Sequence, residues 1–179
     1  LDESCTIPII TTQFAKDAIR YSYGHPGVKG HTAANWMLKN ADVVLVMGCS
    51  LHNQTIGWEG EYLPKNAMII HVAPDRAVLD KVDHGGLKFE CDVGEFLKAM
   101  NLWGPRVERH EWVKECADVC HQHSQEYFVD GKEGPLDLYE ALSILDGKIS
   151  QDAIILYDAG QPYYAIPQAM TMMGNRRFI

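Results

Sequence analysis

Short apolar runs, largely β-branched and closed by small or turn-forming residues, punctuate this chain. Residues 7–11, 43–47 and 68–72 follow that pattern, which belongs to strands buried on both faces of a parallel sheet. A fourth run, residues 153–157, lies far downstream. Between the first two, residues 32–40 read as a helix with Thr32 at its N-cap. Residues 75–82 predict a short helix opening after Pro74, and residues 93–100 another. Strands alternating with helices predict an α/β fold, a parallel sheet with helices on both faces.

The texture changes at Asn101. Gly104-Pro105-Arg106 interrupts the pattern, and residues 110–128 then read as one amphipathic helix. Its apolar side runs Trp112, Cys116, Val119, Cys120, His123, Tyr127, at spacings of three and four. A loop over 129–135, a helix over 136–145 and the fourth strand follow. The expected organisation is a central α/β domain over 1–103, a linker with a long helix over 104–134, and the start of a second α/β domain over 135–179.

Composition narrows the class. Apolar residues make up 46% of the 179 and charged residues 22%, the balance of a folded globular chain. The net charge of −8 comes without a basic patch, which argues against nucleic acid as a partner. The longest apolar run, 43–47, is far shorter than the roughly 20 residues of a membrane helix, so no membrane association is expected. Five cysteines without a CxxC pair point to free thiols in a reducing, cytoplasmic setting. Leu1-Asp2-Glu3-Ser4 has neither an initiator Met nor a signal-peptide pattern, and the close on Arg177-Phe178-Ile179 shows no stop; the expectation is a piece of a longer polypeptide.

Three places carry candidate chemistry. Gly48-Cys49-Ser50 ends the second strand, where ligands of open α/β sheets bind and where a glycine lets a backbone N–H approach a phosphate. Asp75 follows the third strand, placed to meet a ribose hydroxyl or simply to start a helix. No GxGxxG accompanies them, so the reading of Gly48, Ser50 and Asp75 as a nucleotide cleft stands beside that of plain turns. Tyr157-Asp158-Ala159-Gly160-Gln161-Pro162 follows the fourth strand and suits a loop gripping phosphate or carboxylate, or an ordinary turn. Cys116, Cys120 and His123 share a helix face, but a structural zinc site draws four ligands from separate segments. They already serve the apolar side, and no metal site is expected.

Taken in order, several segments resemble the central domain of thiamine-diphosphate enzymes, the acetolactate synthase branch most of all. They are Gly24-His25-Pro26-Gly27 to Asn35, Ala41-Asp42-Val43 to Gly48, Pro64-Lys65-Asn66 to Asp75 with Lys81, and Cys91-Asp92-Val93 to Leu97. Residues 152–161 resemble the opening strand of that family's diphosphate-binding domain. The resemblance covers roughly residues 7–100 and 135–170. It implies a central sheet incomplete at its N-terminal edge, lacking a first strand and helix. It also implies thiamine diphosphate and Mg²⁺ as cofactors of a homo-oligomeric parent, with Gly160 and Gln161 near the diphosphate.

By the same resemblance, the parent acts on a small-molecule 2-keto acid by decarboxylation or carboligation. The family's activating glutamate and its GDG…N cation motif have no counterpart here, so no catalytic residue is assigned and the chain by itself is expected to be inactive. The branch's arginine-bearing flavin stretch reads Ser50-Leu51-His52-Asn53-Gln54-Thr55-Ile56-Gly57 here, without either arginine. A lost arginine–phosphate contact removes roughly 1.5–3 kcal/mol, which argues against FAD. The alternative is a non-catalytic nucleotide-binding or structural α/β module.

Overall fold

A computed structural model describes residues 7–19, 21–103, 109–124 and 134–179. Three parallel strands form the first sheet: β1 (Val43–Met47), β2 (Met68–Ala73) and β3 (Leu87–Glu90), in the order β1-β2-β3. Val44 pairs with Ile69 and Val46 with His71, which in turn pairs with Lys88; one residue out of phase, Met47 pairs with Val72 and Val72 with Phe89. That register gives the sheet two faces. Val46 and Ile69 on one of them pack with Leu51 and Ile56, the latter from the short helix α2 (Asn53–Ile56). On the other face Phe89 meets Phe96 of α4 (Val93–Trp103), ring centroids 5.4 Å apart. Helix α3 (Arg76–Asp80) packs on β2 and β3. The α/β class and the helices on both faces are as the sequence predicts.

Helix α1 (Thr32–Asn40) has the predicted limits, but His31 and not Thr32 stands at its N-cap, and it makes no side-chain cap bond. The His31 ring nitrogen Nδ1 is already engaged, accepting the His25 N–H at 3.1 Å. Helix α5 (His110–Ser124) lies against α1 through Trp36 stacked on Trp112, centroids 5.6 Å apart, and through fully buried Cys116. The long helix of the sequence reading is thus seen to 124; residues beyond it, Tyr127 among them, lie outside the described residues, as do 104–108.

Two strand expectations change. Residues 7–11 are extended but join no sheet. They bond instead to the returning chain, Tyr23 N–H to Ile9 C=O at 2.8 Å and Thr11 N–H to Gly24 C=O at 3.0 Å. Pro8 has no N–H to offer a ladder, which suits a segment held by only a few bonds. The downstream strand shortens to β4 (Ile154–Ile155), paired in parallel with β5 (Arg177–Phe178). Between them run α7 (Gln161–Ala169) and, before β4, α6 (Leu138–Asp146); Leu142, Ala165, Met170 and Phe178 form their core. Arg176 is 1% exposed and seals the end of α6, donating to Asp146 Oδ1 at 2.6 Å and to the carbonyls of Asp146, Ile149, Ser150 and Thr171.

The loop 24–31 positions α1 and meets α2. Asn35 clasps Gly27 twice, accepting its N–H at 2.7 Å and donating to its carbonyl at 2.9 Å. Gly27 has φ +120°, and a Cβ there would lie 1.9 Å from the Gln54 carbonyl oxygen. Only glycine fits such a close backbone approach. Gly27→Ala is therefore expected to lower the unfolding free energy by roughly 2–4 kcal/mol, read as a lower urea midpoint. A midpoint equal to that of the parent chain would contradict the packing described.

Candidate functional site

Gly48 and Asp75 stand at the carboxyl ends of neighbouring parallel strands, β1 and β2. Gly48 has φ +61°, but its N–H is spent on the Val72 carbonyl at 3.0 Å, so it does not offer that donor to a phosphate. Ser50 is exposed beside it. Asp75 caps α3, its Oδ1 accepting the Ala77 N–H at 2.8 Å, the role its place before a helix suggests. Between Gly48 and α2 the turn is wired internally. His71, wholly buried in β2, donates from Nε2 to the Cys49 carbonyl at 2.8 Å. Burial raises the Cys49 thiol's pKa, so it is no nucleophile at neutral pH. His52 caps α2 through the Gln54 N–H where the resemblance would place an arginine stretch.

Gly160 and Gln161 open α7 directly after β4. Gly160 is the N-cap with φ +100°, Gln161 and Pro162 follow as the first helical residues, and all three are exposed. A proline belongs there, since a first-turn N–H has no intrahelical acceptor. The remaining N–H groups of that turn lack i−4 partners and form a positive helix end. Asp158 turns one oxygen onto the Ala159 N–H at 2.6 Å. The structure places Gly160 and Gln161 on this loop together, and Gly48, Ser50 and Asp75 together at the β1–β2 ends.

The opposite end of α7 holds residues that the sequence did not single out. Pro167 inside the helix has no N–H, so the Tyr163 carbonyl four residues earlier loses its partner. Gln13 Nε2 donates to that carbonyl. Lys16, on the same 3-10 turn (Gln13–Ala18), donates its ammonium to the carbonyls of Pro167 and Met170. His31 Nε2 donates to the Gln168 carbonyl at 3.3 Å. The Gln168 side chain in turn donates to Lys29 C=O at 2.8 Å and accepts from the Tyr139 hydroxyl. A cation at a helix C-terminus is favoured by the macrodipole. A cavity of about 430 Å³ lies here, lined by Lys16, His25, His31, Tyr139 and Met170 among others.

Burial pushes Lys16 down to about 8, against the pull of Asp146. Burial also holds His25 at about 3 and His31 at about 4, with His31 and Lys16 respectively adding like-charge repulsion. Values this low keep both rings neutral, and because carbonyls only accept, the proton is on Nε2, which in His25 meets the Lys29 carbonyl at 3.2 Å.

Three parallel strands with helices on both faces define an α/β protein. The profile of the thiamine pyrophosphate enzyme central domain matches residues 1–100. The chain belongs to that family. It is 28% identical over 158 residues to the acetolactate synthase isozyme 1 large subunit of Escherichia coli (strain K12), covering 88% of this chain and 28% of that protein. The acetolactate synthase large subunit of Lactococcus lactis subsp. lactis (strain IL1403) is 22% identical over 99% of this chain and 31% of its own length. A sulfoacetaldehyde acetyltransferase of Castellaniella defragrans is 28% identical over 68% of this chain and 24% of its own. The chain therefore spans 24% to 31% of the length of these relatives. Among the described residues no helix is long and apolar enough to cross a membrane.

Both histidines bind protons more weakly folded than unfolded. Their contribution to stability is complete above the ordinary value near 6.5 and is lost as pH falls through about 4 and then 3. For His31 alone the span corresponds to about 3 kcal/mol. Urea unfolding at stepped pH is expected to show a midpoint falling between pH 6.5 and 4, and a flatter profile in His31→Gln. Identical profiles for the two proteins would contradict the buried neutral pair.

Proposed function

We propose that this chain forms part of a cytoplasmic, homo-oligomeric thiamine-diphosphate enzyme that decarboxylates or joins 2-keto acids. Residues 1–103 serve as its central domain, 104–134 as a linker, and 135–179 as the opening of the diphosphate-binding domain. Family membership and the acetolactate synthase relatives support the class. The observation that carries the site is the start of α7. There an exposed glycine at φ +100° opens a nine-residue helix just past a parallel strand, a frame whose free N–H groups suit phosphate oxygens.

Gly160 and Gln161 would hold the diphosphate end of the cofactor, and the fit extends no further than that end. When bound, thiamine diphosphate supplies a stabilised carbanion for cleaving or forming the bond next to the keto carbon. This chain's own residues orient it: the Gly160 backbone lets the diphosphate approach, and Gln13, Lys16 and His31 fix the far end of the same helix. Asp158 and a net charge of −8 oppose an unneutralised diphosphate, which supports Mg²⁺ as the accompanying ion. The cation ligands and the activating glutamate belong, in this reading, to the remainder of the polypeptide. Ser50 and Asp75, exposed at the β1–β2 ends next to Gly48, mark where the parent would take a nucleotide. Ser50 and Gln54 in place of the arginines favour something other than FAD.

Calorimetric titration with thiamine diphosphate and Mg²⁺ tests this. Residues 1–179 alone are expected to bind more weakly than ~1 mM, about −4 kcal/mol, and to turn over no pyruvate. In the whole enzyme, Gly160→Ala is expected to raise the Kd at least about tenfold, through a strained φ. Micromolar binding by the isolated chain would contradict the division of labour, and an unchanged Kd in Gly160→Ala the diphosphate assignment.

A further inference from the structure

The turn after β1 rests on a histidine that has one ring nitrogen to spare. His71 lies fully buried in β2, and its Nε2 reaches the Cys49 carbonyl at 2.8 Å. A carbonyl only accepts, so Nε2 carries a proton, and in the neutral ring Nδ1 is then a bare lone pair. That Nδ1 is sealed from solvent without a partner. Across from it stands His84, in the loop between α3 and β3, with ring centroids 5.6 Å apart. Gly86 donates its N–H to His84 Nδ1 at 3.1 Å, so Nδ1 is the acceptor and Nε2 carries the proton. His84 Nε2 is likewise sealed and unpartnered.

Each ring thus carries a buried nitrogen without a partner, one a donor and one an acceptor, and centroids 5.6 Å apart leave room for one bridging water or, after a small ring rotation, one hydrogen bond. Leaving either group unpaired is costly, and one contact satisfies both. The loop is pinned to the sheet: a Cβ on Gly86 would lie 2.0 Å from the Ile69 carbonyl oxygen. The same bookkeeping excludes a shared metal ion, because a neutral His84 whose Nδ1 lone pair is engaged has none on Nε2.

We propose that His84 Nε2–H is hydrogen-bonded to His71 Nδ1, directly or through one buried water. His84 then acts, through His71, as a positioning residue for the Cys49 carbonyl and the Gly48–Ser50 turn. The relay runs from the α3–β3 loop, across one face of the sheet, to the strand ends where the proposed nucleotide would lie. Its use for ligand binding rests on that reading, but the relay itself does not. Burial and the neighbouring His71 and Lys88 lower the pKa of His84, which keeps the ring neutral as the relay requires.

Nitrogen NMR of histidine-labelled, ligand-free protein tests it. In the unmodified chain we expect both rings as Nε2–H tautomers, the His71 Nδ1 resonance displaced in the sense of a hydrogen-bonded acceptor, and a slowly exchanging His84 Nε2 proton. An N–N coupling between the rings marks the direct bond; a cross-peak to long-lived water marks the bridged form. His84→Ala is expected to move His71 Nδ1 to the position of a free lone pair and to shift the Ser50 amide, while His84→Gln, which keeps a donor, restores part of the displacement. A His71 Nδ1 resonance at the free-lone-pair position in the unmodified chain would overturn the proposal whether or not the variants fold. So would a His84→Ala spectrum in which His71 and Ser50 stay put. Because no ligand is present, these failures are separable from failure of the nucleotide reading.

Discussion

A proline in the middle of a helix sets the terms for this molecule. Pro167 removes the donor that the Tyr163 carbonyl needs, and the helix ends two residues later with further carbonyls to satisfy. Gln13, Lys16 and His31 supply the missing donors from 137 to 154 positions upstream. None of these bonds is unusual alone, and each exchanges a water contact for a net gain of about 1 kcal/mol. Their weight lies in the alternative, since buried carbonyls left unpaired would each cost more than the bond returns. The ion pair of Arg177 with Asp17 at 2.5 Å adds a further tie between the same two regions.

That docking explains the unusual chemistry around it. Lys16 sits against apolar neighbours and Phe178 because its ammonium has carbonyls to meet, and it accepts a lowered pKa as the consequence. His25 and His31 meet edge to face at 4.7 Å, a contact that suits two neutral rings. A fixed His31 in turn fixes the start of α1, and α1 carries Asn35, whose side chain clasps Gly27. Through Gly27 and the Gln54 backbone the restraint reaches α2 and the turn after β1. Helix α7 and the strand-end turn of the first sheet are therefore linked by one continuous set of contacts.

Much of the first sheet could be read from the chain because its signal is local. Val43–Met47 and the helix Thr32–Asn40 are uninterrupted patterns, and the strand and helix follow them residue for residue. Strand β3 lacks that signal because Leu87-Lys88-Phe89-Glu90 alternates apolar and polar positions and contains no unbroken apolar run. Helix α7 escaped because Pro162 and Pro167 look like breakers; one is a favoured first-turn residue and the other is tolerated only through distant donors. Gln13, Lys16 and Gln168 carry no sequence signal of their own, since their partners are carbonyls that any residue could offer. The one available hint was Pro167 within an otherwise helical stretch, which demands a donor from elsewhere. Asp75 shows the converse: it was legible as a helix cap or a ribose contact, and its Oδ1 is taken up by the cap.

Amide hydrogen exchange in a Gln13→Leu, Lys16→Met double variant tests the central dependence most directly. Removing the donors while keeping side-chain bulk should leave the amides of β1 and β2 as protected as before. It should speed exchange in Tyr164 to Met170 and in the paired strands β4 and β5 by roughly tenfold or more, the cost of about 1.4 kcal/mol or more in local opening. Unchanged protection along α7, with the double variant otherwise folded, would show that the helix holds its own carbonyls and that the docking is incidental.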